Sequence, residues 1–181
     1  MEKAGDIIEQ KNPELPDKQT VARQVGVGAV LFYDLYNSRI KDVDFWWDRA
    51  LAFEGETGPY VQYTHARACS VLAKSGVSPE QALTCTDADL SVLDNAEGRE
   101  VCALLEGFPQ AVRTACDKNE PCVVLRHVTS LCQAFNRFYF EHRIITDDQA
   151  GTNANLKLCA AVKTVIKTGL GLAGIEAPVR M

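Results

Sequence analysis

Apolar residues recur every three or four positions along most of this chain, and no segment shows the two-residue alternation of a half-buried strand. Val21, Val25, Ala29 and Phe32 form one such series, and Val124, Val128, Leu131, Phe135 and Phe138 form another. That spacing places side chains on one stripe of an α-helix but would scatter them over both faces of a strand. There is also no internal repeat and no low-complexity tract. The fold class is therefore all-α, a helical bundle.

Glycine and proline divide the pattern into elements. Pro16-Asp17 opens the first long helix, whose Gly26 and Gly28 cost helix propensity and so mark close approach by a neighbour. Between Asp42 and Phe53, the run Phe45-Trp46-Trp47 in an acidic setting predicts a short helix or turn pinned by aromatic burial. Gly55 and Gly58 form a turn, Thr57 or Gly58 caps, and Pro59 suits the first helical position. This helix is predicted to run to about Ser75 and stop at Gly76. A polar, acidic connection follows from Ser78 to about Asp94. The next helix is predicted from about Asn95 to Glu106, with a break at Gly107-Phe108-Pro109. Asn119-Glu120-Pro121 opens a long helix to about His142, and a loop over 146–152 precedes a last helix ending near Gly169.

Composition excludes several functions. With 181 residues the chain can bury the core of one domain, and no apolar run approaches the length of a membrane span. The first residues lack the basic and apolar regions of a signal peptide, so no membrane partner and a cytoplasmic location are expected. Seven cysteines without a Cys-x-x-Cys pair, and three histidines without a His-x-x-x-His pair, suggest neither disulfides nor a metal site. No nucleophile–base pair or phosphate loop points to an enzyme acting alone. The net charge of −5 weighs against nucleic acid, but it is unevenly spread. Residues 78–120 are acidic, whereas 121–181 carry an excess of bases (Arg126, Arg137, Arg143, Lys157, Lys163, Lys167 and Arg180), which permits a basic face.

The most specific stretch is Gly55-Glu-Thr-Gly-Pro-Tyr-Val-Gln-Tyr-Thr-His-Ala-Arg67. At about 100° per residue, Tyr60, Tyr63, Arg67, Val71 and Lys74 share one stripe of its helix. Val61, His65, Ala68 and Leu72 form a second, more aliphatic stripe that is the better core face, with His65 a core or edge histidine rather than a ligand. The two tyrosines either pack against a neighbouring helix or remain accessible for base stacking beside the Arg67 guanidinium. Tyr139, at the margin of the long helix's apolar face, has the same two readings.

This stretch resembles the helix that opens the anticodon-binding domain of class I arginyl-tRNA synthetases. Val25-Gly-Val-Gly-Ala29, the Phe108-Pro109 helix start, Phe135-Asn-x-Phe-Tyr139 and the ending Gly174-Ile-Glu-Ala-Pro-Val-Arg-Met181 follow in the family's order. The resemblance spans essentially the whole chain and implies a single all-α domain of the DALR type. In it, residues 1–56 are a helical lead-in after an absent catalytic domain, and 57–181 are the bundle. It implies that Tyr60, Tyr63, Arg67, Tyr139 and Met181 meet the anticodon stem-loop of tRNA-Arg, with the catalytic domain a partner in cis or trans. No catalytic residue, metal or cofactor is implied here, because the His-Ile-Gly-His and Lys-Met-Ser-Lys type signatures that hold ATP are missing. Asn153-Ala154-Asn155-Leu156 departs from the family, with Asn155 where an arginine is usual. That departure and the acidic charge motivate a second hypothesis, a helical protein-interaction or assembly module derived from the same domain.

Overall fold

The computed structural model describes residues 2–181, the side chain of Lys11 excepted. Its elements are α1 (Glu2–Lys11), α2 (Lys18–Leu35), α3 (Trp47–Ala50), α4 (Gly58–Ser75), α5 (Pro79–Thr84), a 3-10 turn (Leu90–Leu93), α6 (Ala96–Lys118), α7 (Cys122–Glu141) and α8 (Gln149–Leu172). Among the described residues there is no strand, and no helix is long and apolar enough to cross a membrane.

Two apolar clusters organise these elements. The larger joins α4, α6, α7 and α8, with Val61, Leu125, Val128, Leu131, Phe135, Phe138, Leu156 and Ile166 all but withdrawn from solvent. Each large side chain buried there contributes about 1.5–3 kcal/mol relative to exposure. The smaller cluster packs α1 on α2 through Ala4, Ile8, Val21, Val25 and Ala29, and Met181 leans on it from the other end of the chain. Helix α2 links the two clusters, since Phe32 belongs to the larger one. The four core residues assigned to the motif helix (Val61, His65, Ala68 and Leu72) are all buried.

Helix α4 begins and ends where its residue types dictate. The Thr57 hydroxyl accepts the Tyr60 amide at 3.2 Å and donates to Ala52 O at 2.6 Å, so it caps the helix and ties it to the preceding turn. Gly76 terminates it in the left-handed conformation, with φ of 70°. At the crossing with α2, the glycines allow helix backbones to touch. A Cβ on Gly58 would lie 2.8 Å from Gly28 O and 3.0 Å from Phe32 Cβ.

Four expectations need correction. The 107–109 break does not occur, and α6 runs unbroken through Pro109. Pro109 sits on the solvent face, and the α7 side chain His127 supports that turn by donating from Nε2 to Leu104 O at 2.7 Å. This bond braces the preceding turn from outside, whereas the carbonyl that the proline leaves without its helical donor is that of Leu105. The aromatic run 45–47 is not pinned by burial: Phe45, Trp46 and Trp47 are 41%, 59% and 42% exposed. The acidic connection contains α5, which a reciprocal capping box between Ser78 and Gln81 starts, and the 3-10 turn. Helix α8 continues to Leu172, a turn beyond the predicted end near Gly169.

Gly58→Ala is expected to lower stability by about 1–3 kcal/mol, because the added methyl meets backbone rather than a movable side chain. Gly171→Ala, which meets nothing within 4 Å, should raise it by about 0.5 kcal/mol. Urea melts of the two variants check both signs.

Candidate nucleic-acid interface

Helix α4 presents Tyr63 and Arg67 one turn apart, and α7 brings Tyr139 opposite them. The Arg67 guanidinium lies 5.0 Å from the centre of the Tyr63 ring and 5.2 Å from that of Tyr139, a cation held between two aromatic faces. Both rings remain open, Tyr63 at 40% and Tyr139 at 38% exposure. Phe53 meets the Tyr63 ring edge-on at 6.3 Å.

Asn136 fixes this arrangement from α7. Its Oδ1 accepts from Arg67 Nη1, while its Nδ2 donates to Tyr60 Oη and to Thr64 Oγ1, both at 3.0 Å. The side chain thus sets the rotamers of Tyr60 and Arg67 at once. Tyr60 is half-buried against the larger core, and its burial raises the phenol pKa, with the Asn136 bond acting the other way. Tyr60 therefore combines both sequence readings, packed on one side and open to a groove on the other.

The fifth residue arrives along the carboxyl-terminal tail, which α2 and α4 hold at successive points. The Glu176 carboxylate accepts from Arg23 at 2.7 Å and Gln24 at 2.8 Å. Buried Gln62 donates to Glu176 O at 2.8 Å and to Gln24 O at 3.1 Å, a reach that Gly28 permits by lacking a Cβ. His65 donates from Nδ1 to Pro178 O at 2.9 Å. Finally, Asn12 donates to Met181 O at 3.1 Å. Burial lowers the His65 pKa, with the carbonyl bond opposing in part, so the imidazole is neutral in the folded state.

These tethers place Met181 between two adjoining grooves. One, of about 540 Å³, is lined by Tyr60, Tyr63, Arg67, Asn136, Phe53, Glu54 and Met181. The other, of about 450 Å³, is lined by Tyr63, Arg67, Tyr139, Arg180, Glu14 and Met181. All five residues singled out in the sequence thus meet on one surface. Sequence reasoning missed Asn136 and the tail-holding pair Gln62 and His65. Asn136 had a signal, since it stands three residues before Tyr139 in the quoted run and so shares its helical face. Phe140, 85% exposed, extends the surface beyond Tyr60 along a further groove with Arg137. Arg137 is paired with Glu100.

Asn155 takes a structural place without charge. It is buried, and its amide donates to Ile144 O at 3.2 Å, which ties the turn after α7 to α8.

The architecture and this surface define a helical bundle of the anticodon-binding type. Residues 61–181 match the DALR anticodon binding domain, and the chain belongs to that family. It is 48% identical over its whole length to the arginine–tRNA ligase of Halothermothrix orenii and 47% identical to that of Alkaliphilus metalliredigens. It covers 31% of each of those proteins, so it spans about a third of the length of the relatives it matches. Arginyl-tRNA synthetase from Thermus thermophilus superposes with a TM-score of 0.84 at 33% identity, over 99% of this chain and 30% of that one. The enzyme from Plasmodium falciparum shares the fold with a TM-score of 0.87 at 21% identity, over 99% of this chain and 32% of that one.

The neutral His65 predicts a pH dependence of stability. Unfolded, the imidazole titrates near its ordinary value of 6.5; folded, it titrates lower. The unfolded chain therefore binds more protons between those values, and stability falls as pH drops below 6.5. Denaturant melts across pH 5 to 7.5 should show this slope, measured as the difference between wild type and His65→Asn. A parallel pair of curves would contradict the buried neutral imidazole.

Proposed function

We propose that this domain grips the anticodon stem-loop of tRNA-Arg and orients the tRNA for arginylation by a catalytic domain joined in cis or acting in trans. The observation that carries the reading is the Arg67 guanidinium held between the exposed Tyr63 and Tyr139 rings, beside the chain end. Single-stranded loop bases are recognised by stacking on aromatic rings and on arginine planes, with edges read by amides. Tyr63, Tyr139 and Arg67 supply such platforms, Asn136 holds them in place before RNA arrives, and Met181 closes the groove with an apolar side chain. Preorganisation of this kind lowers the ordering cost of binding.

The charge balance fits recognition of this sort. An acidic domain gains little from bulk attraction to phosphate, so affinity rests on a few stacked bases and on local cations such as Arg67 and Arg180. Activation of arginine with ATP is assigned to the catalytic domain. The rival interaction-module reading would gain from buried tyrosines with acids around the bases; Glu54 and Glu14 do stand in the same grooves as Arg67 and Arg180, but the exposure of Tyr63 and Tyr139 speaks against it.

Filter binding of tRNA-Arg, with an unrelated tRNA as control, tests the proposal. Tyr63→Ala and Tyr139→Ala should each cost about 1–3 kcal/mol of tRNA-Arg affinity, roughly five- to a hundredfold or more, with little change in melting temperature. Equal affinity of the wild type for both tRNAs would overturn the reading. Arg180→Ala should weaken binding to all RNAs alike and reduce the salt slope by about one.

A further inference from the structure

Helix α7 ends on a ring that nothing in this chain covers. Phe140 is 85% exposed, belongs to neither apolar cluster and, among the described residues, meets no other aromatic ring. A single exposed phenylalanine calls for no explanation by itself. This one lines a groove of about 450 Å³ in which two polar side chains also lack partners. Gln133, Arg137 and Phe140 recur at helical spacing and share one face of α7, with Glu141 beside them. Among the described residues, neither the Gln133 amide nor the Glu141 carboxylate makes a hydrogen bond or ion pair. The other charges there are already engaged, Arg137 by Glu100, and Glu97 by His142 Nε2 at 3.2 Å. Tyr60 and Asn136 line both this groove and the tyrosine groove, so the two adjoin.

We propose that this groove is a further nucleotide subsite, next along the RNA from Tyr60, which takes a base with an exocyclic amino group, adenine or cytosine. The inference rests on the RNA reading above and extends it. Phe140 supplies the stacking face. Gln133 lies about 10 Å back along the helix axis on the same face, where its amide meets the edge of a base stacked on that ring. A primary amide pairs with the amino group and adjoining ring nitrogen of adenine or cytosine. Turned over, it pairs equally with the N3–H and O4 of uracil, so Gln133 alone does not select. Glu141 does, because a carboxylate accepts from an amino group and repels a carbonyl oxygen. Charge also excludes the backbone from this groove. With Arg137 neutralised and Glu97 and Glu141 lining the walls, phosphate is repelled while a neutral base is not. The cations suited to phosphate, Arg67 and Arg180, line the neighbouring grooves instead.

Filter binding to this chain tests the subsite, with tRNA-Arg and an unrelated tRNA as probes. Phe140→Ala should weaken tRNA-Arg binding about five- to a hundredfold, leaving the melting temperature and the salt slope unchanged, since no core contact and no phosphate contact is lost. Phe140→Tyr keeps a stacking face and should bind as the wild type does. Changing each adenosine or cytidine of the anticodon loop to uridine, one at a time, identifies the base. At one position the change should weaken binding to the wild type but not weaken binding to Phe140→Ala any further. For that RNA pair, Glu141→Gln should narrow the difference in affinity. An unchanged difference would overturn the amino-edge assignment, and losses that add to Phe140→Ala at every position would overturn the subsite. Loss of self-association in Phe140→Ala, with tRNA-Arg affinity intact, would overturn it too and assign the ring to a second copy. The two readings fail separately. Selective binding of tRNA-Arg that Phe140→Ala leaves untouched sinks the subsite alone. Equal binding of both tRNAs, weakened alike by Phe140→Ala, sinks the tRNA-Arg reading alone.

Discussion

The hold of α4 on the carboxyl-terminal tail is the constraint on which the rest of the surface depends. Gln62 and His65 lie on the buried side of the same helix whose outer side presents Tyr63 and Arg67. One helix therefore positions both the aromatic platform and, through the tail carbonyls of Glu176 and Pro178, the terminal methionine beside it. The close crossing of Gly28 and Gly58 lets α2 share that hold through Arg23 and Gln24. Buried amides and imidazoles of this kind are costly unless paired, so their hydrogen bonds select one path for the tail rather than several.

Much of this was legible in the sequence because it rests on local rules. The period of Val124, Val128, Leu131, Phe135 and Phe138 was enough to define α7 and its buried face. Thr57, Pro59 and Gly76 marked the ends of α4 to within a residue. Helical phase alone separated Val61, His65, Ala68 and Leu72 from the outer stripe. The five candidate residues came from the family resemblance, and the fold brings them onto adjoining grooves.

What escaped depends on neighbours distant in sequence. Pro109 is a helix breaker by propensity, yet α6 runs through it, with the proline on the solvent face and the preceding turn braced by the His127 bond to Leu104 O. Phe45, Trp46 and Trp47 looked like core residues by type, and their exposure could not be foreseen from the chain itself. Asn136 is polar and unremarkable in isolation; its role emerges when α4 and α7 pack and three partners converge on one amide. The last residues carry no periodicity at all. Their order comes from tertiary hydrogen bonds that Asn12 donates to Met181 O, Gln24 and Gln62 to Glu176, and His65 to Pro178 O.

In the proposed function, the chain end and the aromatic platform form one recognition surface. The most direct measurement is the affinity for tRNA-Arg of a chain lacking Val179, Arg180 and Met181, compared with the full chain at the same ionic strength. The tethers at Glu176 and Pro178 remain in that variant while the Asn12 bond to Met181 O and the Met181 packing on the smaller cluster are lost, so the bundle should stay folded and melt slightly lower. Affinity should fall about tenfold or more, beyond the salt-dependent part that Arg180 alone supplies. Undiminished affinity in the shortened chain would contradict the claim that the tail completes the site.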